Sequence, residues 1–119
     1  MAYSDCTTAR YAIKMVIIET SFFTRQVLAL LSDEEYRDLQ ELLAERPEIG
    51  SVIVGSGGLR KVRWGIRGKG KRGGVRVIYY WAVKQEQLLL LLMYPKNQRD
   101  DLSRAQLNAL RKLIEEQYP

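Results

Sequence analysis

The residues of this chain best suited to chemistry lie between positions 60 and 76. Eight cations fall there (Arg60, Lys61, Arg63, Arg67, Lys69, Lys71, Arg72 and Arg76), and no Asp or Glu occurs between Glu48 and Glu86. Cations this concentrated predict a polyanionic partner, because Lys and Arg neutralise phosphates and release their counterions. Lys61 and Arg63 flank Val62. On a strand, residues two apart share a face and stand about 6–7 Å from one another, so this pair presents double positive charge to one side. Arg76 opens the next apolar run and can reach the same anion. Arginine stays ionised and suits a phosphorane-like transition state that gains negative charge. Like charge from Arg60 and Arg63 favours loss of a proton from Lys61, which makes Lys61 a candidate base. An ordinary solvated strand face is the alternative, and the missing acid argues against it.

Further candidates surround these three. In Arg67–Gly74, glycines alternate with cations. The segment lacks the spacing and the following helix of a Walker loop, so it reads as a phosphate-contacting arm. Arg60, Arg67, Lys69, Lys71 and Arg72 are accordingly candidate RNA or ribosome contacts. Trp64, Tyr79, Tyr80, Trp81 and Tyr94 lie on or beside the basic strands. Aromatic rings there can stack on bases, but strands favour aromatics for packing alone, and core roles are expected for most of them. Tyr94 is the exception. It ends an apolar run beside Lys96 and Asn97, where an exposed ring is expected, with Lys96 a further catalytic candidate and Asn97 a further contact.

The rest of the composition removes alternatives. Histidine is absent, which excludes Ser-His-Asp and Cys-His catalysis and the commonest metal ligand. A single cysteine, Cys6, rules out an internal disulfide and any CxxC zinc site, and fits a reducing, cytoplasmic compartment. The acids Glu34, Glu35, Asp38, Glu41 and Glu45 read as a solvated helix face, not a metal site. No metal or other cofactor is expected. The chain has 119 residues, 46% of them hydrophobic and 28% charged, with a net charge of +5; this fits one soluble domain and, weakly, a polyanion partner. No run approaches the roughly 20 apolar residues a membrane span needs, and the N-terminus lacks a signal-peptide layout.

The elements that must position these groups follow from patterning. Met1–Lys14 is polar and without period, and reads as a flexible extension ahead of one domain over residues 15–119. Met15–Glu19 is β-branched and strand-like. Thr20 or Ser21 can cap a helix through Phe23, Val27 and Leu31. Ser32 and Glu35 form a capping box, with Leu31 and Tyr36 as its staple, for a helix ending at Arg46-Pro47. Val52–Val54 is a short extended piece before the turn Gly55–Gly58. Arg60–Ile66 alternates, with Val62, Trp64 and Ile66 on one face and Lys61 and Arg63 on the other. Val75–Val83, a turn over Lys84–Gln87, and Leu88–Tyr94 follow; the last is apolar on both faces, as a covered central strand is. Ser103 and Gln106 repeat the capping box, with Leu102 and Leu107 as staple, for a final helix carrying Leu107, Leu110, Leu113 and Ile114 inward. The order is β-α-α-β-β-β-α: an α+β fold, its antiparallel-rich sheet packed by an N-terminal helical hairpin and a C-terminal helix.

The stretches MVIIETSFF, LSDEEYRDLQ, GSGGLRKVRWGIRGKGKRGGVRVIYYW and LLMYPKNQRDDLS together resemble the HigB/RelE-type toxins of bacterial type II toxin–antitoxin modules, the HigB branch most of all. The resemblance spans residues 15–119. It implies a compact RelE-like fold and ribosome-dependent cleavage of mRNA without a metal, the 2′-hydroxyl attacking the adjacent phosphate. It also implies an inhibiting antitoxin, similar to the helix-turn-helix HigA proteins. Lys61 and Arg63 stand where the family has two cations on one strand, Arg76 where an arginine opens the next, and Lys96 where a cation follows the last strand. A family tyrosine of the final segment corresponds to Tyr94 or Tyr118, and Asp101-Leu102 occupy the region where it can also sit, so the general base stays open. A gyrase-inhibiting toxin of the ParE type and a non-catalytic RNA-binding module remain the alternatives.

Overall fold

The computed structural model describes residues 15–65, 74–98 and 101–119. The expected extension Met1–Lys14, Ile66 and the cations Arg67, Lys69, Lys71 and Arg72 lie outside the described residues. The chain order is β1 (Val16–Glu19), α1 (Ser21–Leu30), α2 (Asp33–Glu45), β2 (Ser51–Val52), β3 (Leu59–Trp64), β4 (Val75–Ala82), β5 (Gln87–Pro95) and α3 (Arg104–Gln117). The described strands form one mixed sheet in the order β1-β5-β4-β3-β2. The strands β2 to β5 pair antiparallel in succession, and β5 returns beside β1, parallel to it. This is the α+β architecture expected. The short extended piece is real, but it sits at Ser51–Val52, while Val54 is exposed in the following turn.

Both faces of the sheet are covered. On one, α1 and α2 bring Phe23, Val27, Leu31, Leu39 and Leu43 against Val62, Val77, Tyr79, Leu88 and Leu90. On the other, α3 brings Leu107, Leu110 and Ile114 against Leu59, Ile78, Leu89 and Leu91. The strand β5 lies between β1 and β4 under both layers, which is why its sequence is continuously apolar. Local signals set the helices. Thr20 caps α1, its Oγ1 accepting from Phe23 N at 3.1 Å. Both expected capping boxes form, Ser32 with Glu35 and Ser103 with Gln106.

Two details matter for the site. The first is a bulge in β5. Ile78 pairs with Leu92 but Tyr79 pairs with Leu90, so Leu91 is an extra residue. The side chain of Thr20 donates to the Leu91 carbonyl at 2.9 Å, and the Gln26 side chain accepts from Met93 N at 2.8 Å. The cap and the middle of α1 thus satisfy the backbone of β5 beyond the end of β1. The second is a buried tether. The Tyr79 hydroxyl donates to the Pro47 carbonyl at 2.7 Å and accepts from Gly50 N at 2.8 Å, tying the end of α2 to β4. A Cβ at Gly50 would fall 2.8 Å from that hydroxyl, so the close approach requires glycine.

Candidate functional site

Strand register brings the predicted cations together at one corner of the sheet. Arg63 on β3 lies directly opposite Arg76 on β4, and Arg76 lies directly opposite Tyr94 on β5. Lys61 is two residues from Arg63 on the same strand face. This is the α3 face, since Leu59 and Ile78 of the same rows pack under that helix while Val62 and Trp64 pack under the helical hairpin. Lys96 and Asn97 follow β5 in an exposed turn, where Lys96 N donates to the Gly74 carbonyl at 3.0 Å. That contact sets Lys96 beside the end of β4 from which Arg76 projects.

The corner is electrostatically loaded. Cross-strand partners lie about 5 Å apart at Cα, and like charges directly opposite one another are unfavourable. The Arg63–Arg76 opposition therefore needs a compensating anion. The sequence offers none within the basic stretch, and the fold brings one from 40 positions further along: Lys61 Nζ donates to Asp101 Oδ1 at 2.7 Å. The Asp101 carboxyl is held below the usual carboxylate range, chiefly by that hydrogen bond and the Lys61 charge, with Arg76 and Arg63 adding to it. Asp101 thus feels all three cations. The expectation of an uncompensated face fails here, because sequence distance hid the partner.

Arg76 and Tyr94 are more enclosed than their chemistry suggests. Arg76 is 5% exposed, in a row where Arg63 is exposed. The expected exposed ring at Tyr94 is not found. Tyr94 is 4% exposed and packs in the core under α3, because the bulge at Leu91 turns it onto that covered face. Its place in the row of Arg76 is set by strand register.

Other candidates fall elsewhere. Arg60 is on the opposite face, where its guanidinium donates to the Gly50 carbonyl at 2.7 Å and the Glu48 carbonyl at 3.0 Å and lies over the Trp81 ring. It is therefore not brought to the corner, and the like charge near Lys61 on that face comes from Arg63 and Arg76 instead. Trp64, Tyr79, Tyr80 and Trp81 pack in or against the two cores, as expected of strand aromatics. Tyr118, the other tyrosine considered, donates to Gln87 at 2.7 Å and packs on Tyr80; burial raises its phenol pKa. Gln87 and Tyr94 stand at opposite ends of β5, so Tyr118 is about 20 Å from the corner. Among the described residues no cluster of His, Cys, Asp or Glu could hold a metal, and no helix is long and apolar enough to cross a membrane.

A cationic corner with a buried arginine and tyrosine sits on a five-stranded mixed sheet with helices on both faces, which defines a compact α+β protein. Comparison with known proteins gives it a family. The family model for the RelE toxin of the RelE/RelB toxin–antitoxin system matches residues 44–118, more than half of the chain. The chain belongs to the RelE toxin family. Its fold is similar to that of E. coli toxin RelE, solved as an arginine double mutant in the free state, with a TM-score of 0.52 and 11% identity over 78% of this chain and 88% of that one.

Proposed function

We propose that this RelE-family toxin is a ribosome-dependent mRNA endonuclease of the HigB branch, which arrests translation by cutting mRNA without a metal. The observation that carries the reading is the row Arg63–Arg76–Tyr94 with Lys61 beside it: three cations and a phenol drawn from three strands to one corner of the sheet. In the reaction, the 2′-hydroxyl of the nucleotide 5′ to the cut attacks the adjacent phosphorus. The P–O5′ bond breaks, leaving a 2′,3′-cyclic phosphate and a free 5′-hydroxyl. The 2′-hydroxyl proton goes to a base and the leaving oxygen takes one from an acid. Arg63 and Arg76 stabilise the phosphorane charge, since preorganised cations act where charge develops. Lys61 and Lys96 bind the phosphate and are the groups at the corner able to move protons, with the Tyr94 hydroxyl.

The partners that follow are the ribosome with its mRNA and a cognate antitoxin similar to the helix-turn-helix HigA proteins, within the cytoplasm. An acidic antitoxin segment would complement the basic corner. Toeprinting of mRNA after brief expression tests the function. Cuts within translated codons, absent from free mRNA and abolished by the antitoxin, are expected. Intact mRNA with accumulated broken DNA would instead assign the chain to gyrase inhibition, and growth arrest with neither would leave RNA binding alone.

A further inference from the structure

The ion pair at the mouth of the corner carries one more step, which rests on the endonuclease reading. We infer that Asp101 is a resident surrogate for the RNA phosphate: in the free toxin its carboxylate occupies the anion position of the Lys61–Arg63–Arg76 corner, and the substrate phosphate enters by displacing it.

Three observations support this. The first is position. Asp101 Oδ1 accepts from Lys61 Nζ at 2.7 Å, and Lys61 shares its strand face with Arg63, which faces Arg76 across the β3–β4 pair. The carboxylate thus bonds one of the cations that the cleavage reading assigns to the phosphate, and the charges of Arg76 and Arg63 reach it as well. The second is chemistry. A carboxylate and a phosphodiester each carry one negative charge and offer only acceptor oxygens. Exchange of one for the other leaves the charge balance of the corner unchanged and keeps the opposed arginines compensated throughout. The third is that Asp101 is built to leave. Its side chain is 77% exposed whereas that of Lys61 is 23% exposed, so the cation is held against the sheet and the acid is the loose member. Asp101 also has no duty in starting α3, because Ser103 and Gln106 close that capping box between them. Exposed ion pairs of this kind are weak, which suits a ligand that must be exchanged.

The expected consequence is competition. Removing the charge at Asp101 should make the corner a better anion site. The test uses the whole toxin and a 2′-O-methyl RNA trinucleotide, which binds but lacks the attacking hydroxyl. Asp101→Asn is expected to bind this probe about two- to fivefold more tightly, the range in which an exposed ion pair competes. In single-turnover cleavage on programmed ribosomes, the same variant should reach half-saturation at a lower toxin concentration, with no fall in the saturated rate. Asp101→Ser should behave alike. The gain should shrink when Asp101→Asn is made in a Lys61→Met background, because the hydrogen bond that holds the carboxylate in the corner is already gone.

Unchanged or weaker probe binding by Asp101→Asn, or a gain undiminished by Lys61→Met, overturns the inference. A collapse of the saturated rate would do so as well, by making Asp101 a proton acceptor in the reaction. The two readings fail separately. A wild-type toxin that cuts no mRNA on ribosomes removes the endonuclease reading, while probe binding still decides whether Asp101 competes for the anion site.

Discussion

Arg63→Ala is the cleanest perturbation of the proposed chemistry, because Arg63 is exposed while its partner Arg76 is 5% exposed. Truncating Arg76 would empty a buried position and confuse catalysis with folding. Truncating Arg63 removes a surface guanidinium that stands directly opposite another cation, so the fold should lose nothing and gain slightly. Loss of one donor aimed at developing charge costs on the order of 100- to 1000-fold in rate, equivalent to about 2.7–4 kcal/mol of transition-state stabilisation. Affinity should weaken little, since one of many phosphate contacts is lost. The matching change at the buried site is Arg76→Lys, which keeps the charge and removes the planar fork of donors; its saturated rate should also fall while binding holds. The assay is single-turnover cleavage on purified, programmed ribosomes at saturating toxin, with affinity and thermal stability measured separately. Wild-type rates for both variants would refute the assignment. If Arg72→Ala then abolished cleavage, the chemistry would belong to the glycine-rich segment between β3 and β4.

Two further outcomes concern the scaffold. Burial first, and then the hydrogen bond and charge of Glu19, push the Tyr36 phenol above its ordinary value near 10, so the folded chain keeps that proton where the unfolded chain releases it. Stability should therefore be complete below about pH 10 and fall as pH rises above it. Tyr36→Phe should cost about 1.5–3 kcal/mol at neutral pH, the range for a hydrogen bond to a charged group, and should lessen the alkaline loss; urea unfolding at neutral and alkaline pH measures both. An unchanged alkaline slope would show that Tyr36 does not carry it. Thr20→Val should cost about 1–2 kcal/mol by removing the α1 cap, and it also deprives the Leu91 carbonyl of its donor. A variant as stable as the parent by urea unfolding would remove the cap and the bulge anchor from the account.

Local and periodic signals made most of the fold legible. Both capping boxes and the split of Val62 and Trp64 from Lys61 and Arg63 follow from spacing alone. The continuous apolar run of β5 implied a strand covered on both faces, and it lies inside the sheet. What spacing could not show was which distant pieces meet. Arg60 reads as one of eight equivalent cations, but strand alternation sends it to the opposite face, where the chain after α2 supplies carbonyls for its guanidinium. Asp101 reads as one acid in a polar connection, and only the packing of α3 across the sheet carries the residues before it to Lys61.

Tyr94 shows how little is needed to move a functional group. Strict alternation from Leu88 and Leu90, which face the helical hairpin, would put Tyr94 on that same face, across the sheet from Lys61 and Arg63. One extra residue at Leu91 reverses the phase. Beyond it Met93 faces the hairpin and Tyr94 faces α3, in the row of Arg76. No residue in the run of leucines marks the bulge, since Gly and Pro are absent from it and each leucine would serve on either face. The signal lies instead in α1 and its cap, where Gln26 and Thr20 bond the backbone of β5 on both sides of Leu92, at Met93 and Leu91. The Tyr94 phenol, proposed here to serve the reaction, is therefore set in its row with the help of polar side chains on the far face of the sheet. A change there should reach the corner through the backbone of β5 without touching Lys61, Arg63, Arg76 or Tyr94 itself.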